Sequence, residues 1–373
     1  MHTLDGSDAG GQFLRRALTL SVLTGEAIRL ESVRGNRPNP GLANQHLAGL
    51  EMMAAICDAD VSGAELEAET VTFDPGLEGV IPGGEYTVEV GTAGSLTLLI
   101  DSLLPLAHGL EGPLTLTATG GTDVAWSPPV DYLRHVKLPL LRRYGLQASL
   151  EVDRRGFYPA GGGRLRLQLA PSTFDPLELI QRGRLAGVRV YSTCATSLAD
   201  ADVGRRQAGG ALERLRSGVE GRRESEDEDE DNGESQPLEV FERVETVAES
   251  RCPGSVIVLG LVFEGGVGAS DSSSHRVLAG FSALGEPGKP AERVGEEAAD
   301  DALAFLESDG TVDRYLADQL LDHLALAGGR IRVSTVTDHV ETSARLLETF
   351  GVDLEREGDG STTILRVAEP VLE

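Results

Sequence analysis

The sequence predicts a mixed α/β fold in which helices cover sheets on one face, and three observations carry that expectation. Stretches with apolar residues at helical spacing are interleaved with stretches in which apolar and polar residues alternate as in strands. The interleaving recurs along the chain. A length of 373 residues, 40% hydrophobic and 25% charged, supplies the apolar mass for a large core and for two or three domains.

Taken in order, "FLRRALTLSVLT" follows a glycine pair and repeats apolar residues as a helix does, and "GEAIRLESVR" then alternates as a strand. A second helix fits "LANQHLAGLEMMAAICDA", strands fit "YTVEV" and "LTLTATG", and two more helices fit "GSLTLLIDSLLPLAHGL" and "PPVDYLRHVKLPLLRRYG". Next come a strand "GVRVYSTC", a helix near 201–216, and strands "LEVFERVET" and "SVIVLGLVFEG", which read as a module of about 100 residues inserted between two parts of a larger domain. The unbroken acidic run Glu226 to Asp231 cannot bury itself and marks a solvated loop, placed at 224–234, within that module. After it, "RVGEEAADDALAFLES" and "VDRYLADQLLDHLAL" return to helical spacing, and the strand "RIRVSTV" leads into a last helix. The expected division is 1–182 and 281–373 as one core and 183–280 as the insert.

Sixty Asp and Glu stand against 33 Lys and Arg, a formal net charge of −27, and the only lysines are Lys137 and Lys289. An acidic surface carried almost without lysine suits a protein kept in solution in concentrated salt, where screening shrinks to a few ångströms. Cys57, Cys194 and Cys252 are odd in number and far apart, so neither a disulfide framework nor a metal cluster follows, and a reducing cytosol is the expected setting. The N-terminus has no basic start followed by an apolar run and no stretch approaches a membrane span, so a cytoplasmic protein without a membrane partner is expected. Oligomeric state is not legible.

Five stretches have residues suited to chemistry. In "DGSDAGGQFLRR", backbone N–H groups at a helix start with Arg15 and Arg16 one turn in form a phosphate-binding surface, although no P-loop is present. In "SVRGNRPNPGLANQHL", Arg34 and Arg37 either face one anion, with Gln45 and His46 on the next helix, or lie on a solvated basic loop. "FYPAGGG" reads as a tight turn into a strand. Tyr315, Asp318 and Gln319 of "YLADQ" are spaced to share one helix face. Finally, "TDHVE" places Asp338 as an N-cap with Glu341 completing a capping box, so His339 is the first helical residue, either a surface group or a neutral imidazole able to act as a nucleophile.

In this order, "GGQFLRRALTLS", "VRGNRPNPGLANQHLAGLEMMAAICDADVSGAEL", "GTAGSLTLLIDSLLP", "GGTDVAWSPPVDYLRHV", "GFYPAGGG", "YLADQLL" and "DHVETSARLLETF" resemble the RNA 3'-terminal phosphate cyclase family, over most of the chain and least from about 183 to 280. The resemblance implies a core of repeated β-α-β-α-β-β units, like the C-terminal domain of translation initiation factor three, interrupted by a small inserted α/β domain. It implies ATP-dependent conversion of an RNA 3'-phosphate into a 2',3'-cyclic phosphodiester through a covalent histidine–AMP intermediate. By the same resemblance His339 is the nucleophile, Arg15, Arg34 and Arg37 contact phosphates with Gln45 beside them, and Tyr315, Asp318 and Gln319 line the nucleotide pocket. Mg²⁺ or Mn²⁺ is implied, with Asp8 standing where the family has Glu, and Asp101 stands near the adenylate where relatives often have Gln. Two other readings share the fold: a non-catalytic cyclase-like factor of ribosome assembly, against which the retained His339 argues, and an enolpyruvyl-type transferase, which predicts no covalent nucleotide.

Overall fold

The computed structural model describes residues 1–76, 80–226, 238–265, 275–358 and 360–371, apart from the side chains of 223–226. Its strands form four mixed sheets, each of four strands.

The first sheet is built from β1 (His2–Asp5), α1 (Gly11–Thr24), β2 (Ile28–Glu31), α2 (Asn44–Cys57), β3 (Asp60–Ser62) and β4 (Val71–Asp74), with strand order β1-β2-β4-β3. β1 and β2 run parallel, Leu4 opposite Leu30, and α1 packs on β2 and β4 and against α2. Every residue of α1 from Phe13 to Leu23 except Arg15 is buried, because the helix lies between the sheet and its neighbours.

The second sheet contains β5 (Gly84–Glu89), α3 (Leu96–Asp101), a 3₁₀ turn (Leu104–His108), β6 (Leu114–Gly120), α4 (Val130–Tyr132), a π-turn (Leu133–Lys137), α5 (Leu138–Arg143), β7 (Ala148–Arg154) and β8 (Gly163–Leu169). Its order, β5-β6-β8-β7, follows that of the first sheet. In β6 and β8 every second residue is buried, as expected of strands with one face on a core and the other in water. The stretch "FYPAGGG" is the tight turn into β8, and Gly161 and Gly162 supply its left-handed backbone at φ 56° and 68°.

β9 (Leu177–Leu179) precedes a sheet of its own kind. β10 (Leu185–Ala195), a 3₁₀ turn (Thr196–Ala201), α6 (Val203–Glu226), β11 (Glu239–Ala248), β12 (Ser255–Phe263), β13 (Arg276–Leu284) and α7 (Ala291–Leu306) give the order β11-β10-β12-β13, with α6 packed on α7. All nine residues of β12 are buried, which explains its unbroken apolar run. α6 and α7 pack against this sheet, and the Val136 side chain of the π-turn packs near Gly260 and Gly280. α6 reaches Glu226, so the first residues of the acidic segment 224–234 are helical, and the rest of that segment lies outside the described residues.

The chain closes with α8 (Arg314–Gln319), α9 (Leu321–Ala327), β14 (Gly329–Val333), α10 (Asp338–Thr349), β15 (Glu355–Gly358) and β16 (Thr363–Val367). These strands pair as β15-β16-β14-β9, so β9 is the parallel neighbour of β14 across the whole intervening segment. The expected single helix over "VDRYLADQLLDHLAL" is two, broken at Leu320. Among the described residues no helix is long and apolar enough to cross a membrane.

Candidate active site

One cleft of about 710 Å³ lies where α1, α2, α3, α8 and α10 converge, lined at those ends by Gly10, Gly11, Gln12, Gln45, Asp101 and His339 among others. Of the residues singled out from sequence, Arg15, Arg34, Arg37, Gln45, Asp101, Tyr315, Asp318, Gln319 and His339 all line it. Asp8 does not: it is exposed on the loop before α1, and its Oδ1 accepts a hydrogen bond from Asn36 Nδ2 at 2.6 Å.

α1 begins after Gly10 without a side-chain cap, so the first N–H groups of a 14-residue helix are left to other partners at the cleft. Position 11 is glycine because a Cβ there would occupy the space of the His46 ring. His46 is itself buried, and its Nδ1 accepts from the backbone N–H of Ala43 at 3.2 Å. Burial, then the charges of Arg15 and Arg34, push the His46 pKa down to about 3, so the imidazole stays neutral beneath the arginines.

The two arginines of α1 have different surroundings. Arg16 is buried, with Nε on Asp322 at 2.6 Å, Nη1 on Asp318 at 3.1 Å and on Ser343, and Nη2 on the Asp318 carbonyl at 2.9 Å. Burial works against its charge, but Asp322 and Asp318 outweigh that and hold it above the ordinary arginine value. Arg16 is therefore a tie between α1, α8, α9 and α10 rather than a free cation. Arg15, one residue earlier and partly buried, has no side-chain hydrogen bond or ion pair among the described residues. Burial lowers its pKa to about 10, with Asp101 and Asp318 partly offsetting the loss. Arg34 donates to the Gly41 carbonyl at 2.9 Å, and its pKa is lowered by burial and by the nearby Arg37. Arg37 is exposed and likewise without a side-chain partner among the described residues. Partly desolvated cations without carboxylate partners are a binding surface for a polyanion.

His339 faces these arginines from α10. The helix starts one residue earlier than the sequence suggested: Thr337 is the N-cap, its hydroxyl accepting from Val340 N–H at 3.3 Å, so Asp338 is the first helical residue and His339 the second. Asp338 loses the cap because the Thr337 backbone already has the extended conformation that a cap needs, and Glu341 is engaged by Arg356 at 2.7 Å instead of closing a capping box.

Gln12 had no sequence signal, yet it holds the histidine at two points. Its Nε2 donates to the His339 carbonyl at 3.3 Å, which orients the amide, and its Oε1 then accepts from the ring Nδ1. That contact assigns the proton to Nδ1 and the lone pair to Nε2. Gln12 and Arg16 lie four apart on α1, and His339 and Ser343 lie four apart on α10, so the two helices are joined by matching rungs, Gln12 to His339 and Arg16 to Ser343.

Asp101, which also lines the cleft, is not an unpaired acid: the buried Lys137 ammonium, one of two lysines in the chain, donates to its Oδ1. Tyr315 packs edge-on against Tyr132, ring centroids 5.7 Å apart, and the Tyr132 hydroxyl donates to Asp313, which caps α8 by accepting from Tyr315 N and Leu316 N. Asp318 Oδ1 is occupied by Arg16 and Ser343, and Gln319 Oε1 is buried without a partner among the described residues. Chemically, the arrangement offers an imidazole with a free lone pair beside a cluster of arginines, which suits nucleophilic attack on a polyanionic substrate.

Comparison with known proteins places this geometry in a family. Residues 7–354 match the family described as RNA 3'-terminal phosphate cyclase. The chain is 43% identical over 374 residues to an RNA 3'-terminal phosphate cyclase of Halobacterium salinarum, covering 98% of this chain and 99% of that one. It is 39% identical to the protein of that name from Methanopyrus kandleri, over 97% and 98% of the two chains, and 37% identical to that of Pyrococcus furiosus, over 94% and 93%. Near-complete coverage of both partners at such identity leaves one conclusion: the chain belongs to the RNA 3'-terminal phosphate cyclase family.

Proposed function

We propose that this chain is an ATP-dependent ligase that converts the 3'-phosphate end of RNA into a 2',3'-cyclic phosphodiester, with His339 as the covalent carrier of AMP. The observation that carries the reading is the Gln12 clamp, which leaves Nε2 of His339 as the nucleophilic nitrogen beside the unpartnered Arg15. Nε2 attacks the α-phosphorus of ATP, a P–N bond forms as the P–O bond to pyrophosphate breaks, and pyrophosphate leaves. An oxygen of the RNA 3'-phosphate then attacks the same phosphorus, the P–N bond breaks, and the electron pair returns to Nε2. The neighbouring 2'-hydroxyl attacks the activated 3'-phosphorus, AMP leaves, and the hydroxyl proton is lost to solvent. The last step is intramolecular, so positioning rather than a strong base supplies much of its rate.

Within this reading Arg15, Arg34 and Arg37 neutralise the phosphates, with Gln45 holding the neighbouring backbone through Ser95 N–H, which its Oε1 accepts at 3.2 Å. Tyr315 gives the adenine a face, and the unpartnered Gln319 Oε1 offers it an acceptor. Asp318 positions Arg16 rather than the nucleotide. Asp101 is neutralised by Lys137, so the pair presents no net charge to the nucleotide. Among the described residues no group of three His, Cys, Asp or Glu side chains is placed to hold a metal ion. A divalent ion, Mg²⁺ or Mn²⁺, would therefore be carried mainly by the triphosphate, with Asp8 Oδ2 as a protein carboxylate oxygen near the α1 start.

We also infer that the three sheets with matching strand order are repeats of one β-α-β-α-β-β unit and that the β10–β13 module is an insert between β9 and α8. Because α7 packs on α6 and on β12 and β13, we place the end of the insert near 306 rather than 280. A reducing, cytoplasmic setting is supported by three cysteines that are all free, the buried Cys57 thiol being pushed up to about 12 by burial.

The test is incubation of the purified protein with ATP labelled at the α-phosphate, Mg²⁺ or Mn²⁺ and molar KCl, beside His339→Ala, followed by a denaturing gel. Acid-labile, alkali-stable label on the wild type alone is the expected result. No label on a folded wild type would move the chain to the binding-factor reading.

A further inference from the structure

Trp126 is the only tryptophan in the chain, and the residue is 96% exposed. Such a side chain is ordinarily among the more buried of a protein's residues. It lines the cleft that holds His339, and its backbone sits in the left-handed region at φ 61°, which a bulky L-residue rarely adopts. The loop that presents it is firmly anchored. The Thr97 hydroxyl donates to the Pro128 carbonyl at 2.7 Å, Val130 N–H is held by the Thr122 carbonyl at 3.0 Å, and the buried Asp123 and Asp131 are both bound by Arg155. Trp126 is thus a flat apolar face on a loop hydrogen-bonded on both sides of it. A second exposed aromatic, Tyr158 at 74%, stands on the adjoining loop, which is joined to the first by the bridge between Asp123 and Phe157.

We propose that Trp126 is the platform on which the terminal base of a single-stranded RNA 3' end stacks, with Tyr158 as the platform for the base before it. The inference rests on the RNA-end reading above and adds the residues that receive the bases. Recognition of RNA ends proceeds by stacking unpaired bases on aromatic rings, and stacking tolerates any sequence because every base has a π-face. The arginines of the cleft hold the phosphate, and Trp126 fixes the nucleoside so that its 2'-hydroxyl and activated phosphate meet.

Because Trp126 is the sole tryptophan, its fluorescence reports the contact directly. In the intact protein without nucleotide, a ribopentamer ending in a 3'-phosphate should quench the emission, and the same pentamer with an abasic last residue should quench it little. By anisotropy of a labelled pentamer, Trp126→Ala should bind about tenfold more weakly, Trp126→Phe should keep most of the affinity, and AMP capture from labelled ATP should be unchanged in both. Tyr158→Ala should weaken the pentamer but not a mononucleoside 3'-phosphate. Equal loss of AMP capture and RNA binding in Trp126→Ala would show that the ring stacks on adenine and would overturn the proposal. So would a pentamer that binds without quenching. A pentamer that fails to bind the wild type at all would overturn the RNA-end reading itself.

Discussion

Replacing Lys137 with methionine keeps the apolar stem and removes the charge that neutralises Asp101. The Lys137 side chain is 2% exposed and that of Asp101 17%. Removing one partner of a buried pair costs about 3–5 kcal/mol, because the other charge is left uncompensated. Asp101 keeps some water, so the lower end, about 3 kcal/mol, is the expected loss. With an unfolding entropy of about 2.1 cal/mol/K per residue, a 373-residue chain melting as one unit has an entropy of about 0.8 kcal/mol/K. The melting temperature should therefore fall by about 4 °C. Asp101→Leu leaves the ammonium buried and should cost a similar amount, whereas Lys137→Met combined with the same Asp101→Leu removes both charges and should recover most of the stability. With each single costing about 3 kcal/mol and the double within about 1 kcal/mol of the wild type, the coupling energy for the cycle is about 5 kcal/mol. Urea melts of the four proteins in molar KCl measure it, since a buried pair is only weakly screened. In the same set, Lys137→Met alone should raise the ATP concentration needed for AMP capture, because a free carboxylate then faces the nucleotide. Additive single effects, or a Lys137→Met protein as stable as the wild type, would refute the reasoning.

Gln12→Leu removes the acceptor for His339 Nδ1–H and should slow AMP capture about 10- to 100-fold, as loss of groups that orient an imidazole does elsewhere, with nucleotide binding preserved; single-turnover labelling separates the two. Arg37→Ala should weaken use of the RNA 3'-phosphate more than self-adenylylation, and equal loss of both would show that this arginine serves ATP. Stability should also fall in acid. His46 and His323 have folded pKa values of about 3 against 6.5, both set chiefly by burial, so the unfolded chain binds more protons between those limits. Their contribution is complete above pH 6.5 and declines as pH falls toward 3, by about 3 kcal/mol for each histidine at pH 4.5. His323, with neither ring nitrogen hydrogen-bonded among the described residues and its ring stacked on Phe174 at 4.6 Å, can be exchanged for phenylalanine. His323→Phe should flatten the urea-midpoint dependence on pH by about half, and an unchanged slope would count against the buried neutral imidazole.

Most helices and several of the longer strands, though not β7 and β13, were legible in the sequence because they follow a period, as in "LTLTATG" and "RLRLQLA", where every second side chain is buried. The short strands β1, β3, β4, β9, β15 and β16 were not. Three to five residues hold too little of an alternation to stand out, and tertiary pairing alone makes them strands. The cleft residues were legible as types, arginines and a lone histidine near turns, but their partners were not. Nothing local distinguishes Arg15, which is unpartnered, from Arg16, which is fully engaged, because the acids that decide it lie about 300 positions away in α8 and α9. Gln12 was missed for the same reason: its contact with His339 spans 327 residues. Asp101 looked like an added charge because Lys137, which cancels it, sits 36 residues on.

The strong negative charge of the chain constrains how such a site can work. Among the described residues, many surface acids pair with arginine at close range, as Asp202 does with Arg205 and Glu296 with Arg293. Exposed pairs of this kind contribute about 0–1 kcal/mol and less in salt. In molar salt the screening length is about 3 Å, so a distant basic surface steers nothing and an acidic shell repels little. What survives is contact. A polyanion must be held by guanidinium groups that touch it, with enough burial that salt does not reach between them, and Arg15 and Arg34 have that partial burial. The framework must likewise rest on interactions that salt does not reach, which the buried Arg16–Asp322 and Lys137–Asp101 pairs satisfy. It follows that lowering salt should unsettle the acidic surface before it unsettles the cleft. Activity lost on dilution from molar KCl should return when salt is restored, provided aggregation is prevented. Loss that persists in a soluble, refolded protein would mean that the cleft itself depends on bound ions.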